Sequence, residues 1–243
     1  MVLTSYLEIT AKDLEILLKN VVFVDNIENV KRVFIYGPPG VGKSTIVRDL
    51  ASKFGYEMID LRVGYFDQTD LLGIPVPNKD KTGYDFLKYT RLPKSNDKKG
   101  IFFLDEFTHA KPQIQALLHE FLLDYRIDDY EIPENWRRFV AAGNNIQDRS
   151  ISYEIPDSVK SRFHYIVRLV PDIESWKSWA LKNGIDPRII TFLEYMEKND
   201  SKKWLYRKDP EVVLTPRTWS DAVNHAFKFD WEHAKILIKA ALG

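Results

Sequence analysis

The sequence predicts an α/β fold: a five-stranded parallel sheet held between helices, followed by a small helical lid. Three observations carry this. The short, continuous apolar run at 32–36 is followed by strand-like runs at 57–61, 100–106, 137–143 and 164–170, two of them nearly all apolar, as expected of strands buried on both faces. Segments with apolar residues three and four apart lie among them, the spacing of amphipathic crossover helices. Past Pro171 the strand pattern stops and only helical patterns follow. Residues 1–170 are therefore expected to form the α/β core and residues 171–243 the lid.

Taken in order, "TAKDLEILLKNVVFV" opens with Thr10 as an N-cap and sets Leu14, Leu17, Leu18, Val21 and Val22 on one helical face. "RVFIY" is the first strand, and "IVRDLASKFG" is a helix stopped by Gly55. "EMIDL" is the next strand. The stretch 70–100, rich in Gly, Pro, Lys and Asp, is too long for a plain connection and reads as an insertion with a hairpin near "NKDKTG". "GIFFLDE" follows as a strand. "KPQIQALLHEFLLD" then places Pro112 near a helix start and turns Ile114, Leu117, Leu118, Phe121 and Leu122 inward. "YRIDDYEIPENW" reads as a hairpin, "RRFVAAG" and "HYIVRLV" as strands, and four helices complete the lid.

Composition narrows the function. The 243 residues are 44% hydrophobic and 29% charged, ordinary values for a globular chain with a real core. Lys plus Arg and Asp plus Glu both number 35, which leaves no global basic field to gather nucleic acid or an anionic membrane. The lack of cysteine excludes disulfides, thiolate metal sites and a thiol nucleophile. The N-terminus has no signal-like pattern and no segment is a membrane span, so a cytoplasmic protein is expected.

The chemistry is concentrated in "YGPPGVGKST". Gly37, Gly42, Lys43 and Ser44 match G-x-x-x-x-G-K-[ST] between a strand and a helix, the context a phosphate-binding loop requires. The loop of Gly37, Pro38, Pro39, Gly40, Val41, Gly42, Lys43, Ser44 and Thr45 would wrap the phosphates of ATP, its non-proline residues turning their backbone N–H groups inward, aided by the helix N-terminus. Lys43 would reach the β and γ phosphates, and the Ser44 hydroxyl would ligate Mg2+. Asp105 and Glu106 end an apolar strand, where ligands of parallel sheets bind. Asp105 is expected to hold Mg2+, and Glu106 to orient or deprotonate the attacking water.

Together, "GPPGVGKS" and "IFFLDE" resemble the AAA+ ATPases, and "DQTDLLGIP", "AAGNN" and "IPDSVKSRF" are similar to the MoxR and dynein-related branch, over about residues 10 to 220. The resemblance implies three further roles. Asn144 would be sensor 1, holding the attacking water or the γ-phosphate; the branch commonly has proline where Asn145 stands. Arg162 would be the arginine finger acting on a neighbouring subunit's nucleotide, with Arg149 and Arg168 as nearby alternatives. Arg217 would be sensor 2, touching the γ-phosphate from a lid helix, with ATP between core and lid.

The resemblance also implies a homo-oligomeric ring, most simply a hexamer, that hydrolyses ATP to remodel or activate a protein partner, such as a von Willebrand A-domain protein. The alternative is an ATP-gated nucleic-acid-binding module of the helicase-loader or transposition-regulator type, which the balanced charge disfavours. A P-loop kinase explains neither the tandem acids nor the sensor positions. His109, His119, His164, His225 and His233 lack the spacing of a metal pair on one helix face, and structural or surface roles are expected of them. "SKKWLYRKDP" interleaves cations and aromatics as single-strand platforms do, but Trp204 and Tyr206 read more simply as lid packing.

Overall fold

The computed structural model describes residues 6–87, 92–144, 153–200, 203–208 and 213–242. The chain opens with β1 (Leu7–Ile9), α1 (Ala11–Val21), β2 (Val33–Tyr36), α2 (Lys43–Lys53) and β3 (Glu57–Arg62). It continues through α3 (Gln68–Leu72) into an antiparallel hairpin of β4 (Ile74–Pro77) and β5 (Tyr84–Leu87), where the insertion was expected. Then follow β6 (Gly100–Asp105), α4 (Pro112–Leu123), the short hairpin β7 (Arg126–Ile127) and β8 (Tyr130–Glu131), β9 (Phe139–Gly143), α5 (Asp157–Lys160) and β10 (Tyr165–Leu169). The remaining elements are α6 (Ile173–Lys182), α7 (Pro187–Asn199), the ribbon β11 (Arg207–Lys208) with β12 (Val213–Leu214), α8 (Pro216–Thr218), a π-helical turn (Trp219–Val223), α9 (Asn224–Ala226) and α10 (Trp231–Leu242).

The main sheet has six strands in the order β1-β10-β2-β9-β6-β3, one more than the five expected. The added strand is β1, three residues long at the edge, with Leu7 70% exposed. It carries no apolar run, so nothing in its composition marks it. The β10–β2, β2–β9, β9–β6 and β6–β3 pairings are all parallel. α1 starts on a reciprocal cap, with Asp13 N–H donating to Thr10 Oγ1 and Thr10 N–H to Asp13 Oδ2.

Two compact units are present: residues 1–7, 15–37 and 44–168, and residues 8–14, 38–43 and 169–243. The first is built on an aromatic core. Phe34, Phe102, Phe107, Phe121 and Phe139 are fully buried, each worth roughly 1.5–3 kcal/mol of transfer free energy. Phe102 stacks on Phe139 at 5.4 Å and Phe34 meets Phe163 edge-on at 5.1 Å. At the head of β6 no side chain fits: a Cβ on Gly100 would lie 2.0 Å from Trp136 Cε3. Inside α4, Gln115 is buried because its Nε2 donates to Ala110 O at 3.0 Å.

The second unit packs Trp176, Ile189, Ile190, Leu193, Leu214 and Trp219 into its own core. Asp172 and Asp186 cap α6 and α7 through Ser175 N–H and Arg188 N–H, contacts worth about 1 kcal/mol each. Trp219 Nε1 donates to Trp204 O at 3.0 Å, and Trp204 Nε1 to Asp200 Oδ2 at 3.1 Å, so Trp204 serves as packing within this unit. The ribbon β11–β12 interrupts an otherwise helical sequence pattern. Among the described residues, no helix is long and apolar enough to cross a membrane.

Candidate nucleotide-binding site

Parallel pairing decides which residues share an edge of the sheet. β2 ends at Tyr36, directly opposite Gly143 of β9, and β9 in turn pairs Ala141 with Leu104 of β6. Gly37, Asp105 and Asn144 therefore emerge at the C-terminal ends of three adjacent strands, the edge where ligands of such sheets bind. Gly37 N–H donates to Gly143 O at 3.2 Å, tying the mouth of the loop to β9.

The loop that follows has Pro38 buried, Pro39 exposed and two left-handed glycines, Gly40 (φ +76°) and Gly42 (φ +97°). Glycine is required at both for backbone reasons, and at Gly40 for space as well: a Cβ there would lie 2.7 Å from Thr215 Oγ1. Its chain neighbours apart, no heavy atom lies within 4 Å of where a Gly42 Cβ would stand. Lys43 opens α2, and its Nζ donates to Pro38 O at 3.1 Å, folding the side chain back over the loop. Ser44 and Thr45 lie half-buried in the first turn of that helix, and Val41 is buried.

Asp105, the last residue of β6, accepts Glu106 N–H on Oδ1 at 2.9 Å. Glu106 stands in the left-handed region at φ +55° and leads into a 3-10 turn, Phe107–His109. Its carboxylate Oε2 lies 2.7 Å from His109 Nδ1. On the neighbouring strand, burial and the Asp105 charge push the Asp60 carboxyl above its ordinary range, although Arg48 approaches its Oδ2 at 3.3 Å.

Asn144 N–H donates to Thr108 Oγ1 at 3.1 Å, and Tyr153 N–H to Thr108 O at 2.7 Å. Thr108, only 2% exposed, thus joins the turn after the acidic pair to the end of β9. A Cβ on Gly143 would fall 2.6 Å from Thr108 Cγ2, so the glycine lets this approach happen. Asn145 and Arg149 lie outside the described residues.

Arg162 is not brought to this edge. It precedes β10 by three residues, and its carbonyl accepts Arg32 Nε at 2.6 Å beside the start of β2. It therefore sits at the N-terminal end of the parallel strands, away from Gly37 and Asp105, and its Nε donates to His119 Nε2 on α4 at 3.0 Å. Arg168 is half-buried within β10. In the second unit Arg217 is exposed near the start of α8, and its N–H donates to Gly40 O at 3.3 Å.

Sequence reasoning did not single out Thr108, Gly64, His119 or the Glu106–His109 pair. The last is visible only as a spacing of three across a tight turn, which a search for helical metal pairs passes over.

The residues fit a magnesium-bound nucleoside triphosphate. The loop's left-handed glycines and ammonium, and on the first unit the helix N-terminus and the hard oxygens of Ser44 and Asp105, are each the kind of donor that phosphate and Mg2+ require. A parallel sheet whose strand runs through such a loop into a helix, with two carboxylates ending the strand two places away, defines a P-loop nucleoside triphosphatase. Within that class, the chain belongs to the AAA domain family, dynein-related subfamily, which matches residues 32–163, more than half its length. Members are ATPases that use ATP with Mg2+.

Among curated proteins, the chain is 31% identical over 101 residues to the Holliday junction branch migration complex subunit RuvB of Treponema denticola, covering 42% of this chain and 24% of that protein. It is 27% identical over 155 residues to RuvB of Solibacter usitatus, covering 59% and 38%. The chain thus spans only about a quarter to two fifths of these relatives. Among solved structures, a variant of Thermotoga maritima RuvB superposes with a TM-score of 0.53 at 14% identity, covering 94% of this chain and 67% of that one. This likeness supports the fold.

Proposed function

We propose that this chain is the ATP-hydrolysing subunit of a ring, most simply a hexamer, in which neighbouring copies complete one another's sites. The observation that carries the reading is the separation of Arg162 from the acidic pair. Asp105 ends β6 and Glu106 follows it, whereas Arg162 lies at the N-terminal edge of β2 and β10, and a four-residue strand alone spans about 13 Å. A cation so placed serves a nucleotide held by another copy better than its own.

In this reading the loop Gly37–Thr45 holds the phosphates, Lys43 pairs with the outer ones, and Ser44 and Asp105 hold Mg2+. When bound, the magnesium–nucleotide pair supplies the anhydride to be cleaved and neutralises charge on it. Glu106 takes the proton of the attacking water, Asn144 orients that water, and Arg217 reports the γ-phosphate to the helical unit. Residues 1–170 act as the nucleotide-binding core and 171–243 as the lid.

The work done is remodelling of a protein client, as in the MoxR branch that the sequence resembles. The β4–β5 hairpin supports this choice, because it exposes Ile74 at 59%, Tyr84 at 66% and Leu87 at 61%, an apolar surface suited to a polypeptide. A von Willebrand A-domain client rests on the resemblance alone. The second reading is action on nucleic acid, favoured by the RuvB relatives and opposed by a net charge of zero. ATPase rate against added duplex and four-way DNA at rising salt separates the two. A client remodeller keeps its rate unchanged, and a DNA-stimulated rate that collapses with salt would sink the protein-client reading.

A further inference from the structure

Three residues beyond Glu106, His109 brings Nδ1 within 2.7 Å of Glu106 Oε2. That nitrogen is shielded from solvent and, despite the short distance, has no hydrogen-bond partner. The contact is close in distance and short of a directed hydrogen bond, a state in which catalytic contacts commonly stand before substrate tightens them.

The backbone around the pair is held firmly. Glu106 adopts φ +55° without being glycine, a conformation that costs about 1–2 kcal/mol and persists only where neighbours enforce it. Here Phe107 and Thr108 are buried on the same turn, and His109 N–H donates to Glu106 O at 2.9 Å. Gly64, from the turn after β3, presses on both residues: a Cβ there would stand 2.9 Å from His109 Cβ and 3.0 Å from Glu106 Cβ. A strained turn, an enclosed imidazole nitrogen and a glycine contact thus converge on one carboxylate. Packing alone does not require a polar side chain at position 109. A phenylalanine or leucine would fill the same space without leaving an enclosed nitrogen short of a directed partner.

We propose that His109 is a positioning residue for Glu106. A small rotation of the carboxylate aligns Oε2 with the Nδ1 proton, which fixes the plane of the group and leaves Oε1 to take the proton of the attacking water. The imidazole itself neither touches substrate nor changes its proton count. The proposal rests on the reading of Glu106 as the base.

Single-turnover and steady-state ATPase of His109→Phe, His109→Asn and Gly64→Ala tests it, alongside nucleotide affinity. His109→Phe keeps volume and removes the donor, and its kcat is expected to fall about tenfold, a part of the factor of 10² to 10⁴ that a positioned base supplies, with nucleotide Kd unchanged. His109→Asn restores a donor near Nδ1 and recovers most of that loss. Gly64→Ala displaces the pair without altering its chemistry and lowers kcat with Kd unchanged. In a Glu106→Gln background His109→Phe has no further effect. In the nucleotide-free protein, the long-range 1H–15N resonances of His109 shift on Glu106→Ala. Wild-type kcat in His109→Phe, equal losses in Phe and Asn, or an undiminished effect in the Glu106→Gln background each overturns the proposal. Wild-type turnover in Glu106→Gln itself overturns the reading of Glu106 as the base, and this proposal with it.

Discussion

Arg162 donates from Nε to His119 Nε2 at 3.0 Å, so its guanidinium is turned onto α4 of its own chain. Only a neutral imidazole can accept this bond, since a protonated ring offers no lone pair and repels the cation. That bond uses Nε, and a guanidinium carries further N–H donors on Nη1 and Nη2 with which to act on another copy. Arg162→Ala is expected to lower kcat by about a thousandfold or more while nucleotide Kd is unchanged. Mixing it with Glu106→Gln restores activity, because a mixed interface pairs an intact glutamate with an intact arginine. Steady-state ATPase of the two variants, separately and mixed, is the measurement, and a mixture as inactive as its parts rejects shared sites.

Nucleotide binding should be legible as stability. With Mg2+ and ATP at a hundred times Kd the folded state gains about 2.7 kcal/mol, several degrees in melting temperature. Lys43→Ala, which loses the ammonium that now folds back on Pro38 O, is expected to show no shift. Glu106→Gln should keep the full shift while turning over very slowly. Differential scanning fluorimetry with and without nucleotide checks both.

Thr108 offers a test of how the end of β9 is held. Its hydroxyl accepts Asn144 N–H at 3.1 Å, and Thr108→Val removes that acceptor in a site only 2% exposed. The expected loss is about 1–3 kcal/mol of folding stability from the unsatisfied amide, together with a fall in kcat because Asn144 is no longer fixed. Thr108→Ser keeps the acceptor and should retain most of both. Urea denaturation and ATPase rates distinguish the pair.

Asp60 supplies a pH dependence whose sign can be worked out. Burial and Asp105 raise its carboxyl above the ordinary value of 3.8, so the folded protein binds the proton more tightly than the unfolded chain. Stability from this group is present at low pH and is lost as pH rises from about 4 through the raised folded-state value. Asp60→Asn removes the penalty, since its partner Arg48 is half exposed and the pair contributes little. The variant should melt higher than wild type at pH 7, with the gap closing towards pH 4. A gap that widens on acidification would contradict the assignment.

Much of the architecture was legible because it rests on runs that have one physical reading. "RVFIY" and "GIFFLDE" are too apolar to lie anywhere but in a covered sheet, and the glycine loop between a strand and a helix has a single well-known use for its N–H groups. The first strand was not legible, because three residues at a sheet edge, two of them exposed, are held by pairing rather than by composition. Gln115 sits in the core of α4 through a bond to Ala110 O, a partner that hydrophobic patterning does not register. The spacing of His109 offers no metal partner one helical turn away, and its relationship is instead to a carboxylate across a tight turn. The position of Arg162 at the far edge of the sheet follows from strand polarity, which emerges only once the pairings are known.

The absence of room above Gly100 bears on how tolerance to substitution should be interpreted. With Trp136 occupying the place of any Cβ at 2.0 Å, every other amino acid at position 100 forces the indole or the strand to move. A saturation screen for activity would rank Gly100 beside Lys43 as intolerant, although one position excludes side chains for lack of space and the other is proposed to contact phosphate. Abundance of the folded chain, scored in parallel with activity, tells the two apart: at Gly100 both scores fall together, while at Lys43 only activity does.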